Sequence, residues 1–281
     1  MAAKRVAWIG LGLIGLPMAA RLAAAGWEVR GFDVNRERLH LGGQRGIAPA
    51  SSLEEAISGA RLVFTSLPTE QVLLELAPRL AGDAIWIETS TVGPVASAKA
   101  GQGRRWYLRA PISGSTALAE AGTLTTFVSG PKDAFEAARP ALAAYSRAQI
   151  WLGEGDEARY AKLAVNLMVA VTAGMMGEAL ALARSGGIAW ETMLDVIGDS
   201  VVASPLVKYK LEPLRRRDFT PAATGALVLK DLDLMIEAAR HAGLELPLAS
   251  HVRQLYRALE DSRLAGEDFF SITAPNSVPG T

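Results

Sequence analysis

The stretch Val6–Leu22 reads VAWIGLGLIGLPMAARL, and the rest of the chain is organised around it. Val6–Ile9 is a short apolar run with the length and composition of a buried strand. It enters a turn containing Gly10, Gly12 and Gly15, and the turn opens into the helix-favouring run Met18–Leu22. Strand, glycine turn and helix in that order suit a dinucleotide pyrophosphate. One glycine makes the tight turn, one lets the backbone approach the phosphates, and one lets helix and strand pack closely. The helix N-terminus offers unpaired N–H groups to the anion. The same spacing also occurs in βα turns without a ligand, so its context carries the reading.

The bulk properties set the frame. The chain has 281 residues, enough for about two domains, and half of them are hydrophobic. Lys plus Arg and Asp plus Glu both number 29, so there is no electrostatic footprint for nucleic acid or an anionic membrane. There is no cysteine, hence no disulfide framework, zinc thiolate site or thiol nucleophile. That composition fits a reducing cytoplasm. The start, MAAKRVAWIG, runs into the first strand without an apolar stretch long enough for a targeting segment. Leu163–Gly177 is uncharged but shorter than the roughly 20 residues of a membrane span, and reads as a buried helix. Ala274–Thr281 reads as a loose tail with two prolines.

Strands and helices alternate after the glycine turn. A helix over Pro17–Ala25 stops at Gly26, and Trp27–Phe32 is a second strand ending at Asp33. Asp33 lies about 20 residues beyond the turn, where a carboxylate accepts bonds from the adenosine ribose hydroxyls and repels a 2′-phosphate. NAD is therefore favoured, although Arg36 and Arg38 stand near enough to leave NADP possible. Asp33 can equally end a strand or cap a helix over Asn35–Leu41. Further strands are expected at Gly46–Ala48, Arg61–Leu67, Ala84–Glu88, Trp106–Leu108, Thr125–Ser129 and Gln149–Trp151. Helices are expected at Leu53–Ser58, Thr69–Leu80 and Lys132–Tyr145. The pattern predicts an α/β fold, a doubly wound Rossmann-type sheet over roughly residues 1–155. Ligands sit beyond the carboxyl ends of such strands, which points to Leu67-Pro68 and to the hydroxyls of Thr89-Ser90-Thr91. Those hydroxyls can also serve as helix caps. Arg109–Leu124 follows a strand and carries Ser113-Gly114-Ser115, either a carboxylate cradle or an ordinary flexible loop.

From Arg159 the pattern is helical only. One helix is expected over Arg159–Arg184, about 39 Å long at 1.5 Å per residue. Lys162 and Asn166, at i and i+4, share a face near its start, and Ala170, Ala173, Gly174 and Gly177 follow along it. A lysine entering an apolar helix can be partly desolvated and exchange a proton with a carbonyl or hydroxyl oxygen. The alternative is a solvated lysine with a surface amide beside it. Helices are further expected at Trp190–Ile197, from a Ser204 cap to Arg216, and at Pro221–His241 and Pro247–Leu264. Lys230 and Asp231 lie in the apolar run LVLKDLDL; they reach toward a cleft or form the wet edge of a helix, and the pattern alone leans to the edge. His40, His241 and His251 are isolated, and no metal site is expected.

These residues together resemble the β-hydroxyacid dehydrogenase family, over almost the whole chain from Val6 to about Ser271. Ile9–Met18 looks like the family's cofactor signature. Ala110-Pro111-Ile112-Ser113-Gly114 is similar to its substrate loop, and Gly122-Thr123-Leu124 follows. Lys162 with Asn166 matches its catalytic lysine and companion asparagine, and Lys230-Asp231-Leu232 its KDL element.

The resemblance implies a Rossmann domain at residues 1–158 and an all-helical substrate and dimerisation domain at 159–281, joined by a long helix at about 159–185. It implies hydride transfer between NAD(H) and a small 3-hydroxy acid or its semialdehyde, with Lys162 as general acid/base and Asn166 orienting it or the substrate. Ser113 and Gly114 would hold the carboxylate, Lys230 would close the site, and Ser115 and Asp231 join them as candidate substrate-binding residues. Cofactor contacts would come from Gly10, Gly12, Leu13, Ile14, Gly15, Asp33, Leu67, Pro68, Thr91 and Lys230. The family usually dimerises, so a homodimer or higher homo-oligomer is expected. Two alternatives stand beside this: an imine reductase-like enzyme, a branch that usually lacks the lysine, and a non-catalytic NAD-binding module. Three departures bear on the substrate. Arg109 stands where the family usually has Asp, Ser115 where it has Gly, and Gly153–Ala158 is more acidic than usual. Ser115, Leu118, Met168 and Phe219 are the residues expected to shape the specificity.

Overall fold

The computed structural model describes residues 5–80, 82–275 and 277. The chain divides into two compact units, the first ending at Lys162 and the second beginning at Leu163.

The first unit carries the strands. In chain order they run β1 (Arg5–Ile9), α1 (Gly15–Ala24), β2 (Glu28–Phe32), α2 (Arg36–Gly43), β3 (Ala48–Pro49), α3 (Leu53–Ile57), β4 (Leu62–Thr65), α4 (Glu70–Leu76), β5 (Ile85–Glu88), α5 (Pro94–Gly101), β6 (Tyr107–Arg109), β7 (Ile112–Ser113), α6 (Thr116–Ala121), β8 (Leu124–Ser129), α7 (Lys132–Leu142) and β9 (Ser146–Gly153). The sheet order is β3-β2-β1-β4-β5-β6-β8-β7, with β9 pairing β8. Alternation along β1 shows why helices cover both faces. Val6 and Trp8 point into one core with residues of α1 and α7, while Ala7 and Ile9 point into another with residues of α3, α4 and α5.

The sheet departs from the uniform parallel pattern at one side. β3-β2-β1-β4-β5-β6 is parallel, but β8 runs antiparallel to β6 and β7, and β9 follows β8. Short strands without strong periodicity hide this reversal. The expected strand at Gly46–Ala48 becomes a two-residue strand, because Pro49 has no N–H to extend the ladder. Arg109–Leu124 is not a flexible loop: it holds β7 and the short helix α6.

One row of paired residues crosses the sheet. Phe32 pairs Ile9, Ile9 pairs Thr65, Thr65 pairs Glu88, Glu88 pairs Arg109, Arg109 pairs Ser129 and Ser129 pairs Gly153. Gly10, Asp33, Ser66 and Thr89 all stand one step beyond this row. It marks the carboxyl edge of the parallel strands.

α8 (Glu157–Ser185) follows, about 44 Å at 1.5 Å per residue, with its start up to Lys162 in the first unit. By length and composition it is long and apolar enough to cross a membrane, and it is partly buried, Ala170, Ala173, Met176 and Leu180 lying in the core of the second unit. Its small residues explain the packing in the second unit. A Cβ added at Gly177 would lie 3.2 Å from the Ile272 carbonyl oxygen, and one at Gly174 would lie 3.5 Å from Val252. The second unit continues through α9 (Trp190–Asp199), α10 (Pro205–Arg216), α11 (Gly225–His241) and α12 (Pro247–Glu260) around a core that includes Ala170, Met176, Leu232 and Tyr256. Ser204 caps α10 and Thr224 caps α11, so α11 starts four residues after the expected Pro221. Lys210 and Asp268 form a buried pair at 2.6 Å that ties α10 to the C-terminal segment. Of the expected tail, Ala274, Pro275 and Ser277 are described, Ser277 donating to the Ile272 carbonyl at 2.6 Å. Its other residues, like residues 1–4, lie outside the described residues.

Candidate active site

The glycine turn has the form that a dinucleotide needs. Gly10 sits at φ +91°, and a Cβ there would overlap the Ser66 carbonyl oxygen. A Cβ at Gly15 would overlap the Gly10 carbonyl oxygen and press on Trp8 Nε1 at 3.1 Å. A Cβ at Gly12 would meet nothing within 4 Å, so packing of the chain itself does not demand this glycine. Open space over Gly12 fits a group that approaches the backbone closely. No side chain caps the N-terminus of α1 and no acidic residue stands in its first turn, which leaves Leu13 and Ile14 at a positive helix end. These residues fit a dinucleotide pyrophosphate.

Asp33 is aimed at the same turn. Its Oδ2 accepts from Leu11 N at 2.7 Å and its Oδ1 from Asn35 N at 2.8 Å. A carboxylate has about four lone-pair sites, so each oxygen retains capacity for a ribose hydroxyl. Asp33 does not cap α2. Asn35 does, accepting from Glu37 N at 2.9 Å.

The exits of β4 and β5 are joined. Leu67 N donates to Ser90 Oγ at 2.7 Å, and Thr89 Oγ1 donates to the Thr65 carbonyl at 2.7 Å. Neither hydroxyl caps a helix, since α5 starts after Gly93 with Pro94 in its first turn. Pro68 is exposed and Thr91 half-buried.

Ser113 pairs Thr125 on β8, four residues past Arg109 in the row, and so lies on the carboxyl side of the parallel strands. Gly114 has φ +138°, and a Cβ there would meet Leu124 at 2.6 Å. Ser115 precedes α6 without capping it by its side chain.

Lys162 stands in the second turn of α8 and is only 9% exposed, so it is not a solvated surface lysine. The helix start that carries it is anchored by three neighbours in the row. Glu88 pairs with Arg159, Arg109 Nε donates to Asp156 Oδ1 at 2.7 Å, and Ser129 Oγ accepts from Ala158 N at 3.1 Å. Arg159 also donates to the Ser90 carbonyl at 2.7 Å and to Ser97 Oγ at 3.0 Å. Burial opposes its charge, and Glu88 and Tyr107 outweigh that cost, so the Arg159 pKa is held above its ordinary value. Burial likewise pushes the Tyr107 hydroxyl up. Arg159, Glu88 and Ser129 escaped the sequence reading. The available signal was a carboxylate closing the apolar strand Ile85–Glu88, which needs a cationic partner once buried.

In the second unit, Asn166 Nδ2 donates to Asp231 Oδ2 at 2.7 Å, and Lys230 Nζ lies 3.2 Å from Asp231 Oδ1. Asp231 is 8% exposed and the Lys230 side chain 34%, so of the two charges only Asp231 is buried. The structure brings Asn166, Lys230 and Asp231 into one polar cluster. Among the described residues no group of three or more His, Asp or Glu is arranged to hold a metal ion.

Known proteins match both units of the chain. Residues 5–153 match the family model for the NAD-binding domain of 6-phosphogluconate dehydrogenase, and residues 156–275 that for the NAD-binding domain of NADP-dependent 3-hydroxyisobutyrate dehydrogenase. The chain is 32% identical to a 3-hydroxyisobutyrate dehydrogenase of Pseudomonas aeruginosa, over 95% of this chain and 96% of that protein. It is 31% identical to an NAD-dependent L-serine dehydrogenase of the same organism, over 95% of each. The solved structure of a Mycobacterium tuberculosis 3-hydroxyisobutyrate dehydrogenase with L-serine superimposes with a TM-score of 0.88 at 28% identity, covering 96% of this chain and 98% of that one. With dehydrogenases matching from end to end and a glycine turn shaped for the dinucleotide, the chain belongs to the β-hydroxyacid dehydrogenase family of NAD(P)-binding oxidoreductases.

Proposed function

We propose that the protein oxidises a small 3-hydroxy acid, or reduces the corresponding semialdehyde, with NAD(H) and with Lys162 as general acid/base. The observation that carries this reading is the burial of Lys162 on a helix start fixed to the carboxyl edge of the sheet that bears the glycine turn. In the oxidation direction a bound nicotinamide would supply the acceptor for the hydride that leaves the substrate's C3. The side chains do the rest. Lys162 Nζ takes the hydroxyl proton as the carbonyl forms and returns it in reduction. Ser113 and Gly114 hold the substrate carboxylate, with Ser115 beside them. Asp33 accepts from the adenosine ribose, and its charge disfavours a 2′-phosphate, which makes NAD the preferred cofactor over NADP. Leu67, Pro68 and Thr91, at the strand exits, are assigned to the nicotinamide end. The resemblance assigns Asn166 to orienting the substrate or Lys162, Lys230 to closing the site, and Asp231 to substrate binding.

A homodimer or higher homo-oligomer belongs to the same proposal. The exposed Met168, Met175 and Leu182, seven residues apart along α8, support it, and light scattering on the purified chain tests it.

The testing experiment is an absorbance assay at 340 nm with a panel of small 3-hydroxy acids, 3-hydroxyisobutyrate and L-serine among them, offered with NAD and NADP in parallel. The expected result is reduction of NAD with at least one acid, at a higher kcat/KM than with NADP. Failure to reduce either cofactor with any of them defeats the reading.

A further inference from the structure

We infer that Arg159 is a positioning residue for Lys162, through a guanidinium that ties the start of α8 to the exits of β5 and β4. The inference rests on the role proposed for Lys162 above.

Arg159 and Lys162 are three residues apart on α8, so they share a helix face one turn apart. The Arg159 side chain is 1% exposed and Glu88 is completely buried. A planar guanidinium offers five donors in a fixed fork, and here they reach four groups: the Glu88 carboxylate, the Ser90 carbonyl, Ser97 Oγ at 3.0 Å and Tyr107 Oη at 3.4 Å. Two of these groups are themselves fixed to strand exits. Glu88 Oε1 accepts from Ser90 N at 2.9 Å, and Ser90 Oγ accepts from Leu67 N at 2.7 Å. One side chain therefore ties the helix turn that precedes Lys162 to Ser90 and, through Ser90, to Leu67.

A second pair of opposite polarity steadies the same turn. Arg109 and Asp156 meet at 2.7 Å with side chains 13% and 24% exposed. Glu88 and Arg109 are register partners on adjacent strands, so a minus–plus pair on β5 and β6 faces a plus–minus pair at the head of α8. Two crossed pairs resist sliding of the helix along the strand ends, because a shift by one strand spacing, about three helical residues, would bring like charges together. Ser129 Oγ, the next residue in the row, takes the Ala158 N–H and completes the seat. Arg109 and Asp156 lie where the sequence departs from the family pattern, and the structure gives those departures a joint role.

The test compares wild type, Arg159→Lys, and the paired replacement of Glu88 and Arg159 by Met, all in the full chain. Lysine keeps the charge and loses the fork. The Met pair removes the charges together and guards against misfolding. Two readouts are taken. Competitive acetylation, read by mass spectrometry, gives the reactivity of Lys162 relative to the exposed Lys99 and Lys208. Steady-state kinetics with NAD and the accepted hydroxy acid give kcat, KM and the pH profile of kcat. In both variants the relative reactivity of Lys162 is expected to change at least fivefold. The kcat is expected to fall at least tenfold with the KM for NAD within threefold, and the limb of the kcat profile to move by more than half a pH unit. A purely structural role would lower stability and leave the reactivity ratio and the pH profile in place. If both variants fold and keep the Lys162 ratio within twofold, the inference is overturned, even when kcat falls. If wild type reduces neither cofactor but the ratio changes as expected, the proposed reaction fails and the positioning of Lys162 stands.

Discussion

Glu88 and Arg159 form a completely buried ion pair that joins the last residue of β5 to the first turn of α8. Charges without water are tolerable only when paired and fully hydrogen-bonded, and Arg159 meets that condition through Ser90 and Ser97 as well. Breaking the pair from one side leaves a lone buried charge. Arg159→Met is expected to cost about 3–5 kcal/mol in urea unfolding followed by tryptophan fluorescence. Replacing Glu88 by Met in the same chain should recover at least half of that loss. A double replacement no more stable than the single one would show that the charges do not act as a pair.

The three glycines of the turn should separate binding from folding. Gly15→Ala forces a Cβ onto the Gly10 carbonyl and should cost several kcal/mol, as overlaps with backbone do. Gly12→Ala meets open space, so its melting temperature should stay close to wild type. Its NADH affinity should nonetheless fall at least tenfold, because the methyl occupies the path of the pyrophosphate. Thermal melts and NADH fluorescence titrations measure both.

Asp33 is fixed by two backbone N–H groups and carries the proposed preference for NAD. Asp33→Ala removes charge-assisted bonds each worth about 1.5–3 kcal/mol. The expected outcome is a fall of about 10–100-fold in kcat/KM for NAD, with NADP losing far less. Equal losses for both cofactors would remove Asp33 from the role of selector.

Alkaline pH should unfold the protein through its buried phenols. Burial pushes the hydroxyls of Tyr107, Tyr145 and Tyr256 above their ordinary value. Raised folded-state values mean that the unfolded chain loses these protons first, near pH 10. Their contribution to stability is full below that pH and is lost as pH rises toward the folded-state values. Tyr145→Phe removes one such proton. It should flatten the fall of unfolding free energy above pH 10 by about 1.4 kcal/mol per pH unit, measured by urea titration from pH 9 to 11.

Local chemistry made much of this legible in the sequence. Gly10, Gly12 and Gly15 with Asp33 announce themselves, because the backbone conformation and the strand-to-turn context are set within some 25 residues. The helix of Lys162 and the Ser204 cap of α10 follow local rules as well. The reversal of β8 could not be read there, since β6 and β7 are only three and two residues long and carry no period. Nor could α6 within Arg109–Leu124. Arg159 looked like any charged residue of a first helical turn; its burial comes from a partner 71 positions away. The row from Glu88 through Arg109 to Ser129 is a property of strand register, which no single stretch of chain encodes.

The most direct measurement is the rate of hydride transfer by Lys162→Ala at saturating NAD and hydroxy acid, with NADH affinity determined on the same protein. Loss of a general acid/base should lower kcat about 10²–10⁴-fold, with the NADH dissociation constant within threefold of wild type. A Lys162→Ala protein that binds NADH and turns over at the wild-type rate would contradict the proposed chemistry.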